Sequence, residues 1–219
     1  FPEARVELLP PPGPDGDVVV EPNLETGRRP YFLYAGRIEA IKGVDRLVQA
    51  FPRVRGADLL VAGDGSGYDE LRRSAEGSNA VRLVGRLTHP EILGLCRQAR
   101  AVVVPSAGYE TFGGVAVEAM ALGTPVVVHD LGPLPELVES GGGRTYVDDD
   151  QLVSLLQQLV DDPAEARRIG QEARSIAAER FGTNLFFRRY LDIVSDLARA
   201  AGREELGGRA AAAAAVASV

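Results

Sequence analysis

The chain has 219 residues, of which 45% are apolar and 25% charged, a composition typical of a globular protein with a buried core. Its net charge of −7 argues against a nucleic-acid partner held by bulk electrostatics, while local basic pairs remain able to bind a phosphorylated ligand. A single cysteine excludes an internal disulfide framework and favours a reducing, cytoplasmic compartment. Two histidines and one cysteine leave little for a transition-metal site, and no metal is expected.

Residues 1–30 are rich in proline and glycine, which predicts a linker or an irregular lead-in. After them, short apolar runs alternate with helical stretches. The apolar runs predict strands at 31–35, 58–62, 81–84, 101–104, 125–128 and 144–147. Helices are predicted between them at 43–51, 68–76, 89–99, 113–122 and 133–139. Because the runs are nearly continuous rather than alternating, they predict a parallel sheet covered on both faces. The expected fold is an α/β, Rossmann-like, doubly wound sheet of about six strands, spanning 31–182.

The chain from residue 150 onward is predicted to be helical, with additional C-terminal helices at 150–161, 163–180 and 183–201. Pro163 follows two aspartates, a favourable start for a helix. The segment 183–201 is interpreted as a C-terminal crossover helix. The alanine-rich residues 202–219 have low complexity, which is typical of a weak helix or a poorly ordered terminus.

The charged and glycine residues that could bind a ligand lie in the loops after the predicted strands. In open parallel sheets, ligands bind at these carboxyl ends of the strands. The first loop, GRIEAIKG, places Arg37 and Lys42 five residues apart. Arginine can grip two phosphate oxygens, and lysine acts as a mobile point charge. Gly36 lets the backbone approach a ligand closely. A solvated surface pair is the alternative interpretation.

The second loop, GDGSG at 63–67, resembles a dinucleotide-binding fingerprint only in part. Its glycine spacing is wrong for that motif, and no acidic residue follows a second strand at the expected distance. A tight strand-to-helix turn is the favoured interpretation.

The stretch GYETFGGVAVEAM holds two acids around a glycine pair that opens a predicted helix. Gly113 and Gly114 leave room for a phosphate against the free amide groups of the helix start. Glu118 lies too deep to cap the helix, and Glu110 precedes it. The two carboxylates are therefore expected to accept hydrogen bonds from neutral hydroxyl groups on either side of the phosphates, as in a nucleotide sugar. The alternatives are a first-turn acid that complements the helix dipole, a surface charge, or a glycosidase acid/base pair, for which the basic residues would be superfluous.

The remaining reactive side chains are assigned structural roles. His89 precedes a proline and is interpreted as a helix-start residue without a chemical role. His129 ends the fifth strand and points towards the proposed site, where a structural loop histidine is expected. Cys96 and Met120 lie in apolar helices and are expected in the core.

Four segments together resemble the C-terminal domain of family 4 glycosyltransferases, which are retaining enzymes of the GT-B fold: YAGRIEAIKGVDRLVQAF, LLVAGDGS, VRLVGRLTHPEILGLCRQARAVVVPS and YETFGGVAVEAMALGTPVV. The resemblance spans about 31–190 and keeps the family's motif order. The glutamate pair of the family matches Glu110 and Glu118 in type and spacing.

The resemblance implies a role for each candidate residue. Arg37 and Lys42 would bind the donor diphosphate and stabilise the charge of the leaving group. Glu118 would bind the ribose hydroxyls, and Glu110 would contact the transferred sugar. No cofactor or metal is implied, since positive side chains replace the cation; the donor would be a UDP-, GDP- or ADP-sugar. The remaining donor-binding residues implied are Gly36, Arg86, Leu87, Phe112, Gly113, Gly114 and Val115.

A GT-B enzyme has two Rossmann-like domains, and this chain shows the pattern of only one. The expectation is the donor-binding half of a hexosyltransferase that acts on a glycan, lipid or small-molecule acceptor and does not turn over alone. The missing N-terminal domain would bind the acceptor and would provide any peripheral membrane association. The alternatives left open are a GT-B sugar-nucleotide epimerase, a phosphorylase, or a non-catalytic nucleotide-binding domain. A phosphorylase would need a pyridoxal lysine, and the placement of Lys42, the chain's single lysine, disfavours that role.

Overall fold

The computed structural model describes residues 9, 11–14, 26–27, 29–108, 110 and 112–217. The linker predicted for 1–30 lies mostly outside these residues. The description therefore begins in effect with the first strand.

The centre of the fold is a parallel six-stranded sheet with the strand order β3-β2-β1-β4-β5-β6. This confirms the predicted doubly wound α/β sheet. The strands are β1 (Tyr31–Ala35), β2 (Asp58–Ala62), β3 (Val81–Gly85), β4 (Ala101–Val104), β5 (Val126–His129) and β6 (Gly143–Tyr146).

Helices follow the strands where the sequence predicts them, and the predicted bounds of helices and strands differ from the observed ones by one residue at most. Two short 3-10 turns, Ala40–Lys42 and Phe51–Arg53, flank the first helix. The helices are α1 (Val44–Ala50), α2 (Tyr68–Ala75), α3 (His89–Gln98), α4 (Gly114–Ala121), α5 (Leu134–Val138), α6 (Asp149–Asp161), α7 (Pro163–Phe181), α8 (Thr183–Ala200) and α9 (Glu204–Val216).

Side chains of the central strand point alternately into two apolar layers. Tyr31 and Leu33 of β1 belong to the layer packed under α3, α4 and α5, whereas Phe32 and Tyr34 belong to the layer under α1, α2 and α6. Every one of these four side chains is at most 4% exposed, as nearly continuous apolar runs predict.

The strand order places the site. Strand β1 pairs with β2 on one side and with β4 on the other, in the register Leu33↔Leu60 and Leu33↔Val102. The connections that leave β1 and β4 therefore run to opposite faces of the sheet. A crevice opens between them at the carboxyl ends of the strands, the usual ligand position in such folds.

Helix α7 packs closely against α4 and the turn that follows α4, because several of its buried residues are small. Its buried positions include Ala166, Gly170, Ala173 and Ala177. A Cβ atom on Gly170 would overlap the carbonyl oxygen of Gly123, in the turn between α4 and β5. The close approach of α7 thus depends on glycine at this point.

Residues 204–216, where the sequence allows either a weak helix or a poorly ordered terminus, form helix α9 against α8. The buried hydroxyl of Ser195 donates a hydrogen bond to the carbonyl oxygen of Gly207, at 3.0 Å. Ala210 and Ala214 are buried in the same contact region of α9. Phe187 and Tyr190, on the N-terminal half of α8, remain about half exposed.

None of the helices within the described ranges is both long and apolar enough to cross a membrane.

A pair of glycine-to-alanine substitutions tests the packing of α7. Alanine favours a helix over glycine by about 1 kcal/mol at both Gly170 and Gly208, which are interior helical positions. Gly208→Ala meets no atom within 4 Å and is expected to raise the free energy of unfolding by up to about 1 kcal/mol. Gly170→Ala overpacks the contact with Gly123 and is expected to lower the free energy of unfolding by about 1–3 kcal/mol. Urea unfolding measures both changes, and the same sign for the two variants would contradict the packing described.

Candidate functional site

A cavity of about 550 Å³ lies at the carboxyl ends of the strands. It is open to solvent and is formed by the loops after β1, β2 and β3 together with α4. Six of the residues predicted to bind a donor line it: Gly36, Arg37, Arg86, Leu87, Val115 and Glu118.

The loop after β2 forms one wall of this cavity through Gly63, Asp64 and Gly65. A Cβ atom on Gly63 would overlap the carbonyl oxygen of Gly36, and one on Gly65 would overlap that of Ile38. The GDGSG segment is a tight turn, as interpreted from the sequence. Its role in closing the cavity was missed, because that role depends on contact with a different loop.

Beside the cavity, Lys42 and Glu110 form a bidentate ion pair. The Lys42 ammonium lies 2.7 Å from Oε1 and 2.8 Å from Oε2 of Glu110. Both side chains are largely buried, at 22% and 14% exposure. The hydroxyl of Ser106 donates a further hydrogen bond to Oε1 of Glu110. Two groups predicted to act on the diphosphate and on the sugar therefore contact each other directly in this structure.

The pKa of Glu110 reflects this environment. Burial raises the pKa of the carboxyl group, but hydrogen bonds from Lys42 and Ser106 and the positive charge of Lys42 outweigh it. Arg37 adds a further attraction across space. The pKa lies below its ordinary value as a result, and Glu110 is a carboxylate at neutral pH.

The two loops that carry this pair are joined by their backbones. The amide groups of Ala107 and Gly108 both donate to the carbonyl oxygen of Ile41, at 2.9 and 3.1 Å. Gly43, with φ 64°, ends the 3-10 turn that contains Lys42. A Cβ atom on Gly43 would overlap the carbonyl oxygen of Pro105. These contacts set the position of Lys42 relative to the loop after β4.

Arg37 lines the cavity and pairs with a different acid from the one that holds Lys42. Its guanidinium pairs with Glu39 at 2.8 Å and is 69% exposed. Its backbone is held more firmly, since the buried Tyr34 hydroxyl donates to the carbonyl oxygen of Arg37 at 2.6 Å. The exposed ion pair costs little to break, so Arg37 is available to a ligand in the cavity.

The start of α4 has the geometry expected of an anion site. Gly113 is the N-cap residue, with φ 76°, and nothing lies within 4 Å of the Cβ position of Gly114. The amide of Ala116 donates to the carbonyl oxygen of Gly113 at 2.9 Å, whereas the amides of Gly114 and Val115 precede the first hydrogen bond of the helix. Phe112 anchors this start by packing edge-on against Phe181, with ring centroids 5.6 Å apart.

The two histidines occupy different positions at the site. Nδ1 of His129 donates to the carbonyl oxygen of Ser106 at 2.8 Å, and its ring stacks on Tyr146, in agreement with a structural loop histidine. Nε2 of His89 lies 3.0 Å from Oε1 of Glu118. The sequence analysis missed this second contact, which joins the start of α3 to the second turn of α4.

Within the part of the chain that the structure describes, no group of three or more His, Cys, Asp or Glu residues is arranged to hold a metal ion.

The fold and the cavity define an α/β domain with a ligand crevice at the switch between β1 and β4. A profile of the family described as "Glycosyl transferases group 1" matches residues 19–176. The chain belongs to this family. The predicted GT-B type of fold is thereby confirmed, in agreement with the structural neighbours below.

Several glycosyltransferases and sugar synthases are similar to this chain in sequence or in structure. Glycogen synthase of Mycobacterium tuberculosis is 41% identical over 152 residues, which cover 65% of this chain and 36% of that protein. Sucrose-phosphate synthase from Thermosynechococcus elongatus superposes with a TM-score of 0.77 at 28% identity, over 89% of this chain and 53% of that chain. Anabaena Alr3699/HepE, in complex with UDP and glucose, gives a TM-score of 0.70 at 25% identity, over 76% and 48%. The chain thus spans between about a third and a half of these proteins.

The variant Glu110→Gln tests the buried ion pair. At neutral pH it leaves the Lys42 ammonium without its charged partner, and we expect the free energy of unfolding to fall by about 1–3 kcal/mol. The pKa of Glu110 in the folded state is lowered below 4.5. The wild-type protein is therefore more stable than the variant by the full amount above pH 4.5, and this difference in the free energy of unfolding is lost as the pH falls through the folded-state pKa. Urea unfolding of both proteins between pH 7 and pH 3 measures the gap, that is, the difference between their free energies of unfolding. A gap that stays constant down to pH 3 would show that the Glu110 charge does not contribute.

Proposed function

We propose that this chain is the donor-binding half of a retaining hexosyltransferase of family 4, and that its cavity takes a nucleotide-diphosphate sugar. The observation that carries the proposal is the convergence of the cavity, the Lys42–Glu110 pair and the start of α4 at one sheet edge. The solved complex of Anabaena Alr3699/HepE with UDP and glucose supports the same ligand class. The cavity volume of about 550 Å³ lies within the usual range for small-molecule sites.

The diphosphate is proposed to replace Glu110 as the partner of Lys42. The diphosphate of a nucleotide sugar carries two negative charges and attracts the ammonium more strongly than one carboxylate does, and the amide groups at the start of α4 add donors on the other side. Arg37 needs only to leave its exposed contact with Glu39 to reach the same anion. As the bond to the sugar breaks, the two cations and the amide groups stabilise the developing charge of the leaving diphosphate.

The two acids are proposed to hold the two sugars of the donor. Glu118 lines the cavity beside Arg86 and Leu87, so the ribose lies against Glu118 and the nucleobase against that loop. Glu110 lies next to Lys42, at the far side of the diphosphate. Once Lys42 turns to the phosphates, the carboxylate of Glu110 is free to accept hydrogen bonds from the transferred hexose.

Turnover is proposed to need no metal ion, because Arg37, Lys42 and the helix start provide the positive charge. The acceptor and the remaining catalytic groups are proposed to come from the other half of the enzyme. Transfer with retention predicts that product and donor share the same anomeric configuration.

Calorimetry with the 219-residue chain tests donor binding. We expect at least one of UDP, GDP and ADP to bind, and Arg37→Ala or Lys42→Ala to weaken that binding by about 1.5–3 kcal/mol, the contribution of a hydrogen bond to a charged group. The matched nucleoside, which lacks phosphates, should bind equally to all variants. Arg72→Ala, at an exposed position on α2, serves as a control for the loss of one positive charge.

Two outcomes would count against the assignment. A folded chain that binds none of the three nucleotides would contradict the proposed donor site. An equal loss of nucleoside and nucleotide binding in the Arg37 and Lys42 variants would show that these residues do not act on the phosphates.

A further inference from the structure

His89 contacts the carboxylate that the proposed function assigns to the ribose. Its Nε2 atom lies 3.0 Å from Oε1 of Glu118. Glu118 is 26% exposed and lines the cavity, while the side chain of His89 is 63% exposed. No other residue in the described part of the chain donates a hydrogen bond to this carboxylate. Within the described residues, His89 therefore engages Oε1, and Oε2 receives no hydrogen bond.

The start of α3 holds His89 in place. The backbone amide of Thr88 donates to Oε2 of Glu91 at 2.8 Å, and the Thr88 hydroxyl donates to the same oxygen at 2.7 Å. These hydrogen bonds, first from the side chain and then from the backbone of Thr88, lower the pKa of Glu91. Pro90 further restricts the first turn. The backbone of His89 is thus fixed by a capped helix end.

Helices α3 and α4 also pack against each other, so the distance between His89 and Glu118 does not depend on a loop. Leu93 and Cys96 of α3 share one apolar layer with Ala116 and Met120 of α4. All four side chains are at most 5% exposed. A pair of groups presented from two packed helices is better ordered than a pair presented from loops.

The chemistry of the contact defines what His89 can do. A carboxylate only accepts hydrogen bonds, so Nε2 of His89 must carry the hydrogen, in the neutral and in the protonated imidazole alike. The bond removes rotational freedom from the Glu118 side chain before a ligand arrives. A ligand that hydrogen-bonds to the second oxygen then loses less free energy in ordering the carboxylate.

We propose that His89 is a positioning residue for ribose recognition. It holds Oε1 of Glu118 so that Oε2 accepts hydrogen bonds from the ribose hydroxyls of the nucleotide. The inference rests on the proposed function, because it requires that the cavity binds a nucleotide.

Calorimetry with matched nucleotides tests this role. The probes are the tightest binder among UDP, GDP and ADP, and its 2′,3′-dideoxy analogue, which lacks both hydroxyls. We expect His89→Ala to weaken binding of the ribonucleotide about five- to tenfold, the cost of ordering one long side chain, and to leave the dideoxy analogue unchanged. His89→Gln, whose amide replaces the Nε2 donor, should keep most of the affinity. In a Glu118→Ala background, His89→Ala should have no further effect.

The outcomes separate the inference from the function on which it rests. Thermal unfolding is expected to be similar for wild type and His89→Ala, since an exposed pair adds little stability. An equal loss of both nucleotides, no loss at all, or a gain in ribonucleotide affinity would each overturn the role of His89; a gain would mean that the imidazole competes with the ribose. A wild-type chain that binds no nucleotide would instead sink the proposed function, and the inference with it.

Discussion

The ion pair between Lys42 and Glu110 joins the two loops on either side of the switch between β1 and β4, and the site is built around it. The two residues are far apart in sequence, and neither lies in a long helix or strand. They meet because the strand order makes β1 and β4 neighbours. The backbone hydrogen bonds from Ala107 and Gly108 to Ile41 then hold the loops in register. A different order of the same six strands would leave the pair separated.

Charge compensation explains how two carboxylates tolerate a place beside a helix start that is proposed to bind an anion. Each acid already has a hydrogen-bonding partner within the chain. Glu110 is bound by Lys42 and Ser106, and Glu118 is contacted by His89. The acids differ in how they are held: Glu110 lies in a largely buried charge cluster, whereas the more exposed Glu118 is contacted by His89 through one oxygen. This difference supports the proposed division of roles between the diphosphate side and the ribose side of the donor.

Most of the fold could be predicted from the sequence because the strands are buried on both faces. A run such as Ala101–Val104 has no polar residue that could face water, and its length is that of a strand. The C-terminal helix α9 was harder to predict. Its alanine-rich sequence has high helix propensity but few large apolar side chains, so its order depends on close packing of Gly207 and Ala210 against α8.

The candidate site could be predicted only in part, for a related physical reason. The position of a residue at the end of a strand is local information, and it placed Arg37, Arg86 and Glu118 correctly around one cavity. The pairing of side chains across loops is tertiary information. The contact between His89 and Glu118 had one local signal, the capping box of Thr88 and Glu91, which fixes where α3 begins. The packing of α3 on α4, which completes the contact, had no local signal in the sequence.

The central claim is that Lys42 exchanges Glu110 for a diphosphate, and the composition of the chain permits a direct measurement. Lys42 is the single lysine, so a chain labelled with ¹³Cε-lysine gives one side-chain signal in an NMR spectrum. The account predicts that this signal moves in a saturable manner when the tightest-binding nucleoside diphosphate is added, and that it stays in place when the matched nucleoside is added. A Lys42 signal that does not move while the nucleotide binds elsewhere on the chain would contradict it.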